Sequence, residues 1–262
     1  MSRPRLFATL DGYAVEGGYD RGVGLATCYA PSIALGRLEG PGEAAQLWRD
    51  YEVVLEHAAR IGLDGVRLVV EWARVEPRRG TVDDAALARY GEVVAYARGL
   101  GLGVTIVLFD AVWPLWAGLE CWLLPWVAPY AIAHGRRVAA ALTAASGVIV
   151  ATRGADLVNG QFLDGTVPPF RVGARDDARS AHGALDRVVA TLREDPAIAP
   201  RLVDSWREVS IGSAITGSGV DELHLRSLVA GFGPTAARSG LLVREGAGWT
   251  DGPGVALLDA LR

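Results

Sequence analysis

Residues 65–80 read Gly-Val-Arg-Leu-Val-Val-Glu-Trp-Ala-Arg-Val-Glu-Pro-Arg-Arg-Gly. The run 66–70 is short, apolar and rich in β-branched residues, which is typical of a strand buried on both faces. Because side chains alternate along a strand, Arg67 and Glu71 share one face. A buried arginine needs an anion or several acceptors. Two interpretations follow: a structural ion pair inside a barrel, or an arginine that holds a ligand or a catalytic carboxylate.

The same stretch resembles the second strand of the glycoside hydrolase family 1 barrel, the β-glucosidase type. The shared pattern is Arg-x-x-x-Glu-Trp-Ala-Arg-x-Glu-Pro, from Arg67 to Pro77. In that family the matching arginine lies beside the catalytic nucleophile. The resemblance implies an α/β fold, a (β/α)8-type TIM barrel, whose active site lies at the C-terminal ends of the strands.

The length of 262 residues is enough for one barrel domain, although family 1 enzymes are considerably longer. We therefore expect a single domain over 1–262, in which 1–170 resembles the N-terminal half of the family and 171–262 is shortened. About six βα units are recognisable where the family has eight. The expected barrel is truncated or incomplete in its C-terminal third, and a partner or a second copy could cover an open edge.

The apolar periodicity predicts the other elements. Strands are expected at 104–109, 147–152, 209–215 and 240–243, after a first strand within 6–18. Helices are expected at 41–61, 83–99, 122–145, 180–194, 221–230 and 254–262.

Composition excludes several functions. The formal net charge of −4 and pI near 5.6 give no electrostatic basis for binding nucleic acid or an anionic membrane. All 26 basic residues are arginine, which rules out a Schiff-base lysine and the lysine of a phosphate-binding loop.

Cysteine and histidine usage predicts neither a disulfide framework nor a bound metal or cofactor. Cys28 and Cys121 lie far apart in sequence, and the four histidines lack the spacing of metal ligands. The first ten residues lack the apolar core of a signal peptide, so a cytoplasmic protein is expected. The apolar stretch 102–133 is interrupted by three prolines and two acids, which favours a strand, a loop and the start of a helix over a membrane span.

Two of the family's sugar-binding positions differ in this chain. The family's glutamine falls at Ala14, and its histidine falls at Asp110 in the segment Asp-Ala-Val-Trp-Pro-Leu-Trp. Asp110 at the end of a strand is a candidate catalytic acid, with a turn or helix cap as the alternative. Trp113 and Trp116 are candidates to stack on a sugar or another flat ligand, with core packing as the alternative.

The family's general acid/base is also absent. Where the family carries Thr-x-Asn-Glu-Pro after its fourth strand, this chain has Ala-Thr-Arg-Gly-Ala, so that Gly154 replaces the glutamate and Arg153 its asparagine neighbour. The resemblance implies that no proton donor remains there. Arg153, Asn159 and Arg67 are candidate substrate-binding residues.

Two alignments compete for the catalytic nucleophile. Ile-Thr at 215–216 places Gly217 at the nucleophile position, whereas the segment ending at Glu245 retains a glutamate. We prefer Glu245 because a predicted strand precedes it and a predicted helix follows it. The alternative is an acid in a surface turn.

Three functional hypotheses remain. Retaining glycosidases need a nucleophile and a proton donor, and loss of proton transfer costs roughly 10²–10⁴-fold in rate, so ordinary hydrolysis is not expected. The favoured hypothesis is a degenerate barrel that binds a small polar, sugar-like or aromatic ligand, or a protein partner. The second is an enzyme that uses Glu71, Asp110 and Glu245 for acid–base chemistry with arginine anion clamps, or a residual glycosidase acting on activated glycosides with Glu245 as nucleophile. The third is a subunit of a homo- or hetero-oligomer.

Overall fold

The computed structural model describes residues 5–19, 26–44, 46–152, 154–204, 206–210, 222–226, 242–245 and 248–251, with side chains as far as Trp206. The strands are β1 Arg5–Leu10, β2 Gly65–Val69, β3 Gly103–Phe109, β4 Gly147–Ala151, β5 Trp206–Ser210, β6 Glu222–Arg226, β7 Leu242–Glu245 and β8 Gly248–Asp251. The α-helices are α1 Gly12–Val15, α2 Ala30–Ala34, α3 Leu47–Arg60, α4 Trp72–Val75, α5 Asp84–Gly99, α6 Val127–Ala141, α7 Gly154–Phe162 and α8 Arg175–Arg193.

The main sheet has the order β4-β3-β2-β1-β6-β5, and all its described pairings are parallel. An isolated bridge joins Val148 of β4 to Leu202, and the Val203 amide donates to the Val148 carbonyl at 3.0 Å. Because β5 begins shortly after Val203, this bridge brings the two ends of the sheet together. The architecture is an α/β barrel, as predicted, with six parallel strands in the described part of the chain where a complete (β/α)8 barrel has eight.

Alternate side chains of each strand enter different cores. Val66, Leu68 and Val70 belong to the large cluster between the strands and the helices. Val69 packs instead with Val107 and Ile149. The strand is therefore buried on both faces, as its β-branched composition predicts.

The floor of the barrel is filled by the ring of Phe7, which is fully buried. Glycines on the next two strands make room for it. A methyl group at Gly65 would lie 2.4 Å from the Phe7 ring, and one at Gly103 would lie 3.3 Å from it. A small residue at each position is therefore required by packing.

The predicted strands and helices of the N-terminal part are present, with some bounds changed: α3 begins at Leu47, and β3 begins one residue earlier than predicted. The predicted helix at 122–145 is α6, preceded by a 3-10 turn at Cys121–Leu123. The stretch 102–133 is indeed a strand, a loop and the start of a helix. No helix within the described residues combines the length and apolarity needed to cross a bilayer.

One prediction in the C-terminal third is wrong. Residues 222–226 form β6, parallel to β1, where a helix was expected at 221–230; Glu-Leu-His-Leu-Arg has the period-two alternation of a strand. Residues 242–243 of the strand predicted at 240–243 are in β7, as predicted, but β7 pairs antiparallel with β8 in a separate two-stranded sheet and is not a strand of the barrel sheet. The predicted helix at 254–262 lies outside the described residues, as do positions 211–215 and 240–241 of the predicted strands.

Candidate functional site

A cavity of about 320 Å³ opens at the C-terminal ends of the first three strands. Each strand supplies an acid directly after its end or one residue later: Asp11 after β1, Glu71 after β2 and Asp110 after β3. Because parallel strands end at the same edge of a sheet, these acids line one space. Two tyrosines, Tyr13 and Tyr29, also line the cavity.

Glu71 is the most enclosed acid of the cavity, with 3% of the residue exposed. Its Oε1 accepts a hydrogen bond from the Tyr13 amide at 3.0 Å. Within the described part of the chain, Oε2 has no hydrogen-bond partner. Burial raises the pKa of Glu71 well above its usual range, and the charges of Glu16 and Asp110 raise it further. The environment therefore favours the protonated carboxyl group.

Asp110 is half-buried and is held from the neighbouring strand. The hydroxyl of Thr152, just beyond β4, donates to Asp110 Oδ1 at 2.6 Å. This short bond orients one carboxylate oxygen. The cavity thus contains a carboxyl group with a raised pKa and a second one held by a hydroxyl donor.

Arg67 lies beneath the cavity, inside the barrel, and is not one of its lining residues. Its side chain is fully buried, its Nη2 is 3.6 Å from Asp11 Oδ1, and its guanidinium lies 5.5 Å from the centre of the Trp206 ring. Of the two interpretations drawn from the sequence, this geometry matches the ion pair inside a barrel.

Comparison with known proteins identifies the fold. A β-glycosidase from Pyrococcus horikoshii superposes with a TM-score of 0.69 at 18% identity, covering 78% of this chain and 47% of that one. The family 1 β-glucosidase from Thermotoga maritima gives a TM-score of 0.67 at 14% identity, covering 79% and 48%. The fold is that of the family 1 glycosidases. The resemblance seen in the sequence is thereby confirmed for the fold.

The matching proteins are longer than this chain. No family model matches it. A curated relative, the β-glucosidase-like SFR2 protein of Oryza sativa subsp. japonica chloroplasts, is 30% identical over 122 residues, which are 44% of this chain and 19% of the relative. The chain thus spans about half the length of the two solved structures and about a fifth of the curated relative.

Behind the cavity of this barrel lies a buried polar network that sequence reasoning missed. Glu16 accepts hydrogen bonds of 2.7 Å each from Tyr19, Arg74 and Tyr90. The Tyr90 oxygen accepts the backbone N–H of Glu71 at 3.1 Å. Glu16 and Arg74 both lie in the segments that carry the family resemblance, which was the available signal.

Gly12 was also missed, although it shapes the site directly. A methyl group at this position would lie 2.2 Å from Cγ and 2.5 Å from Oε1 of Glu71. The turn from β1 into α1 therefore closes over the Glu71 side chain. Any larger residue at Gly12 must displace it.

Three residues predicted to bind substrate do not line the cavity. Trp113 is buried and its Nε1–H donates to the Gly118 carbonyl at 2.7 Å. Trp116 donates to the Glu76 carbonyl at 2.7 Å. Asn159 Oδ1 lies 3.1 Å from His182 Nε2. For both tryptophans the structure matches the core-packing alternative.

The remaining predicted site residues lie in the separate two-stranded sheet or outside the described residues. Glu245 ends β7 and pairs with Gly248 in the hairpin, so it does not follow a strand of the barrel sheet and the reason for preferring it as nucleophile is removed. Arg153 and Gly217 lie outside the described residues. Gly154 begins α7, and a methyl group there would lie 3.1 Å from Cδ2 of Leu185 on α8.

Proposed function

We propose that this family 1-like barrel binds a small polar or aromatic ligand, of monosaccharide size, in its mouth and does not carry out ordinary glycoside hydrolysis. The observation that supports this most directly is that Glu71 and Asp110 line one cavity beside Tyr13 and Tyr29. A volume of about 320 Å³ is at the small end of the range for ligand pockets. Carboxyl groups and tyrosines suit hydroxyl groups and flat apolar faces.

The residues at the end of β4 support the part of the proposal that excludes ordinary glycoside hydrolysis. A retaining glycosidase requires a proton donor beside the scissile oxygen, and the matching position is Gly154. Glycine has no side chain to donate a proton, and a side chain at this position would start towards Leu185. The name of the rice relative, β-glucosidase-like, describes a protein of which this chain covers only 19%.

A second candidate is an acid–base enzyme on the same scaffold. The raised pKa of Glu71, caused by burial and then by the charges of Glu16 and Asp110, favours a protonated acid near a second carboxyl group. Pairs of carboxyl groups whose environments push their pKa values apart are suited to the roles of acid and base. This observation favours catalysis over a purely structural role.

The test uses p-nitrophenyl glycosides of several sugars, with binding followed by calorimetry and turnover by release of p-nitrophenol. We expect binding without release, both with and without added azide. Azide can replace a missing carboxylate, and the activated leaving group needs no proton donor. Release of p-nitrophenol, with or without azide, would support a residual glycosidase instead. Absence of binding to every glycoside would overturn the proposal.

Three variants separate the two candidates. Glu71→Gln and Asp110→Asn change the cavity, whereas Asp176→Asn changes an exposed carboxylate that pairs with Arg179 and serves as the control. We expect the first two variants to weaken binding and the control to have no effect. Turnover of any probe that is lost in the two cavity variants and kept in the control would establish the acid–base enzyme instead.

A further inference from the structure

We propose that the ligand of this cavity is a small organic cation, with an amine or quaternary ammonium group on a hydroxylated skeleton. This rests on the proposed function and adds the charge of the ligand to it. The inference is supported by the charges around the cavity, by its aromatic wall and by one carboxyl oxygen without a hydrogen-bond partner.

The described lining of the cavity is acidic. It contains Asp11, Glu39, Glu71 and Asp110, and it contains no arginine or histidine, although the chain has 26 arginines. Arg67 lies beneath the cavity, where its Nη2 is 3.6 Å from Asp11 Oδ1, and is not one of the described lining residues. An anionic ligand would meet repulsion here, whereas a cation would offset the excess of acid.

Tyrosine rings form part of the wall. Tyr13 and Tyr29 are stacked, with ring centroids 5.6 Å apart and an angle of 21° between their planes. Both line the cavity beside the acids. Aromatic faces combined with carboxylates are the usual means of binding ammonium groups, because the faces carry negative potential.

One oxygen of Glu71 is available to a ligand. Glu71 is only 3% exposed and lines the cavity; its Oε1 accepts the Tyr13 amide, and no hydrogen bond joins Oε2 to a described residue. Oε2 is also not among the side-chain atoms that are buried without a partner. An ammonium N–H or a hydroxyl of the ligand could therefore bond to it.

The acids surround a space and do not converge on one point. Among the described residues, no group of three or more His, Cys, Asp or Glu side chains has an arrangement that could hold a metal ion. The volume of about 320 Å³ is also far larger than a metal site. The arrangement therefore suits a cation of several heavy atoms.

Binding of a cation should also be linked to pH. A positive charge beside Glu71 favours the ionised carboxylate over the protonated form. Binding therefore releases a proton, and affinity rises with pH as long as Glu71 is protonated in the free protein. The uncharged Glu71→Gln variant should lack this dependence.

The experiment measures the dissociation constants of matched probes by calorimetry at constant ionic strength, in a buffer without amines. Choline is compared with its neutral isostere 3,3-dimethylbutan-1-ol, and glucosamine with glucose. We expect each cation to bind at least roughly tenfold more tightly than its neutral partner. Asp110→Asn should reduce this preference several-fold, and the exposed control Asp176→Asn should leave it unchanged.

The outcomes distinguish this inference from the proposed function. If the neutral probes bind as tightly as the cations, the cation inference is overturned and the proposed function stands. If none of the four probes binds but a p-nitrophenyl glycoside does, the cation inference is overturned and the proposed function stands; if no glycoside binds either, both are overturned. An equal loss of preference in Asp110→Asn and Asp176→Asn would indicate attraction to the whole acidic surface and would overturn the cavity as the cation site. If the affinity for choline rises with pH in the unchanged protein but not in Glu71→Gln, the cavity is supported directly as the cation site.

Discussion

A single hydroxyl group orients one of the two carboxyl groups named in the proposed function. Thr152 donates to Asp110 at 2.6 Å, and Thr152 itself is 1% exposed. A donor to a charged acceptor typically contributes about 1.5–3 kcal/mol. Thr152 is therefore a positioning residue, which acts on a ligand through Asp110.

Thr152→Val should weaken ligand binding, because valine keeps the shape of threonine and removes the donor. We expect affinity for the best probe to fall roughly tenfold, measured by calorimetry. Thr152→Ser keeps the hydroxyl and should retain most of the affinity. If valine and serine behave alike, the hydroxyl is not what positions Asp110.

At the residue scale, the sequence predicted charge at strand ends better than it predicted aromatic contacts. Glu71 and Asp110 could be placed together because the ends of parallel strands share an edge. Trp113 and Trp116 could not be assigned to a ligand or to the core, since an indole suits both and only tertiary packing decides between them. The ion pair of Arg67 was equally hidden, because Asp11 follows a different strand, β1.

At the element scale, the β1–α1 turn packs closely against Glu71. Gly12→Ala places a methyl group 2.2 Å from Cγ of Glu71, which is well inside van der Waals contact. We expect Glu71 to be displaced, with loss of probe binding and a stability loss of about 1–3 kcal/mol by urea unfolding. Gly99→Ala is the matched control, because a methyl group at Gly99, the last residue of α5, meets no atom within 4 Å.

A double-mutant cycle makes this test specific. Glu71→Ala removes the Cγ atom that the new methyl group would meet. In the Gly12→Ala and Glu71→Ala double variant, the stability cost of the alanine at position 12 should therefore shrink. Strictly additive costs would show that Gly12 is required for another reason.

Elements with strong local signals were predictable, and those defined by distant partners were not. β3 and β4 are continuous apolar runs, and α8 has a regular apolar stripe. β6 was mistaken for a helix although its five residues alternate as in a strand, because so short a segment is a weak local signal. Its pairing with β1, more than 200 residues earlier, and with β5 stabilises the strand, and local propensity carries no information about that pairing.

For the whole molecule, two buried groups give opposite pH dependences. His134 is fully buried on α6, stacked on Trp72. Burial, and then the charge of Arg137, lower its pKa from about 6.5 to about 3. Between these values the unfolded chain binds a proton that the folded chain does not, so the free energy of unfolding falls as pH falls. Glu71, with a pKa raised from 4.5 by burial, stays protonated when folded, so the free energy of unfolding falls as pH rises above 4.5.

We expect these two contributions to oppose each other between pH 4.5 and 6.5, each with a slope of about 1.4 kcal/mol per pH unit. Only the contribution of Glu71 remains above that window and only that of His134 below it. Urea unfolding at several pH values tests this. In a plot of the free energy of unfolding against pH, Glu71→Gln should reduce the slope at neutral pH. His134→Phe should reduce the slope at acidic pH. Parallel profiles for all three proteins would contradict the assignment of the limbs to these two groups.

Closure of the barrel was the feature least accessible from sequence. The predicted count of about six βα units equals the number of described parallel strands only because β6 takes the place of the strand predicted at 240–243, and it left open how the sheet ends meet. The structure joins them through the bridge between Val148 and Leu202. One backbone bridge leaves no side-chain pattern that could be recognised beforehand.

The backbone at the end of β4 also determines where an acid could be introduced by design. In Gly154→Glu the new Cβ would lie 3.1 Å from Cδ2 of Leu185 on α8, so the carboxylate would start against that helix. Thr152 is the neighbour whose side chain already reaches Asp110 in the cavity. A designed proton donor should therefore begin at position 152 and not at position 154.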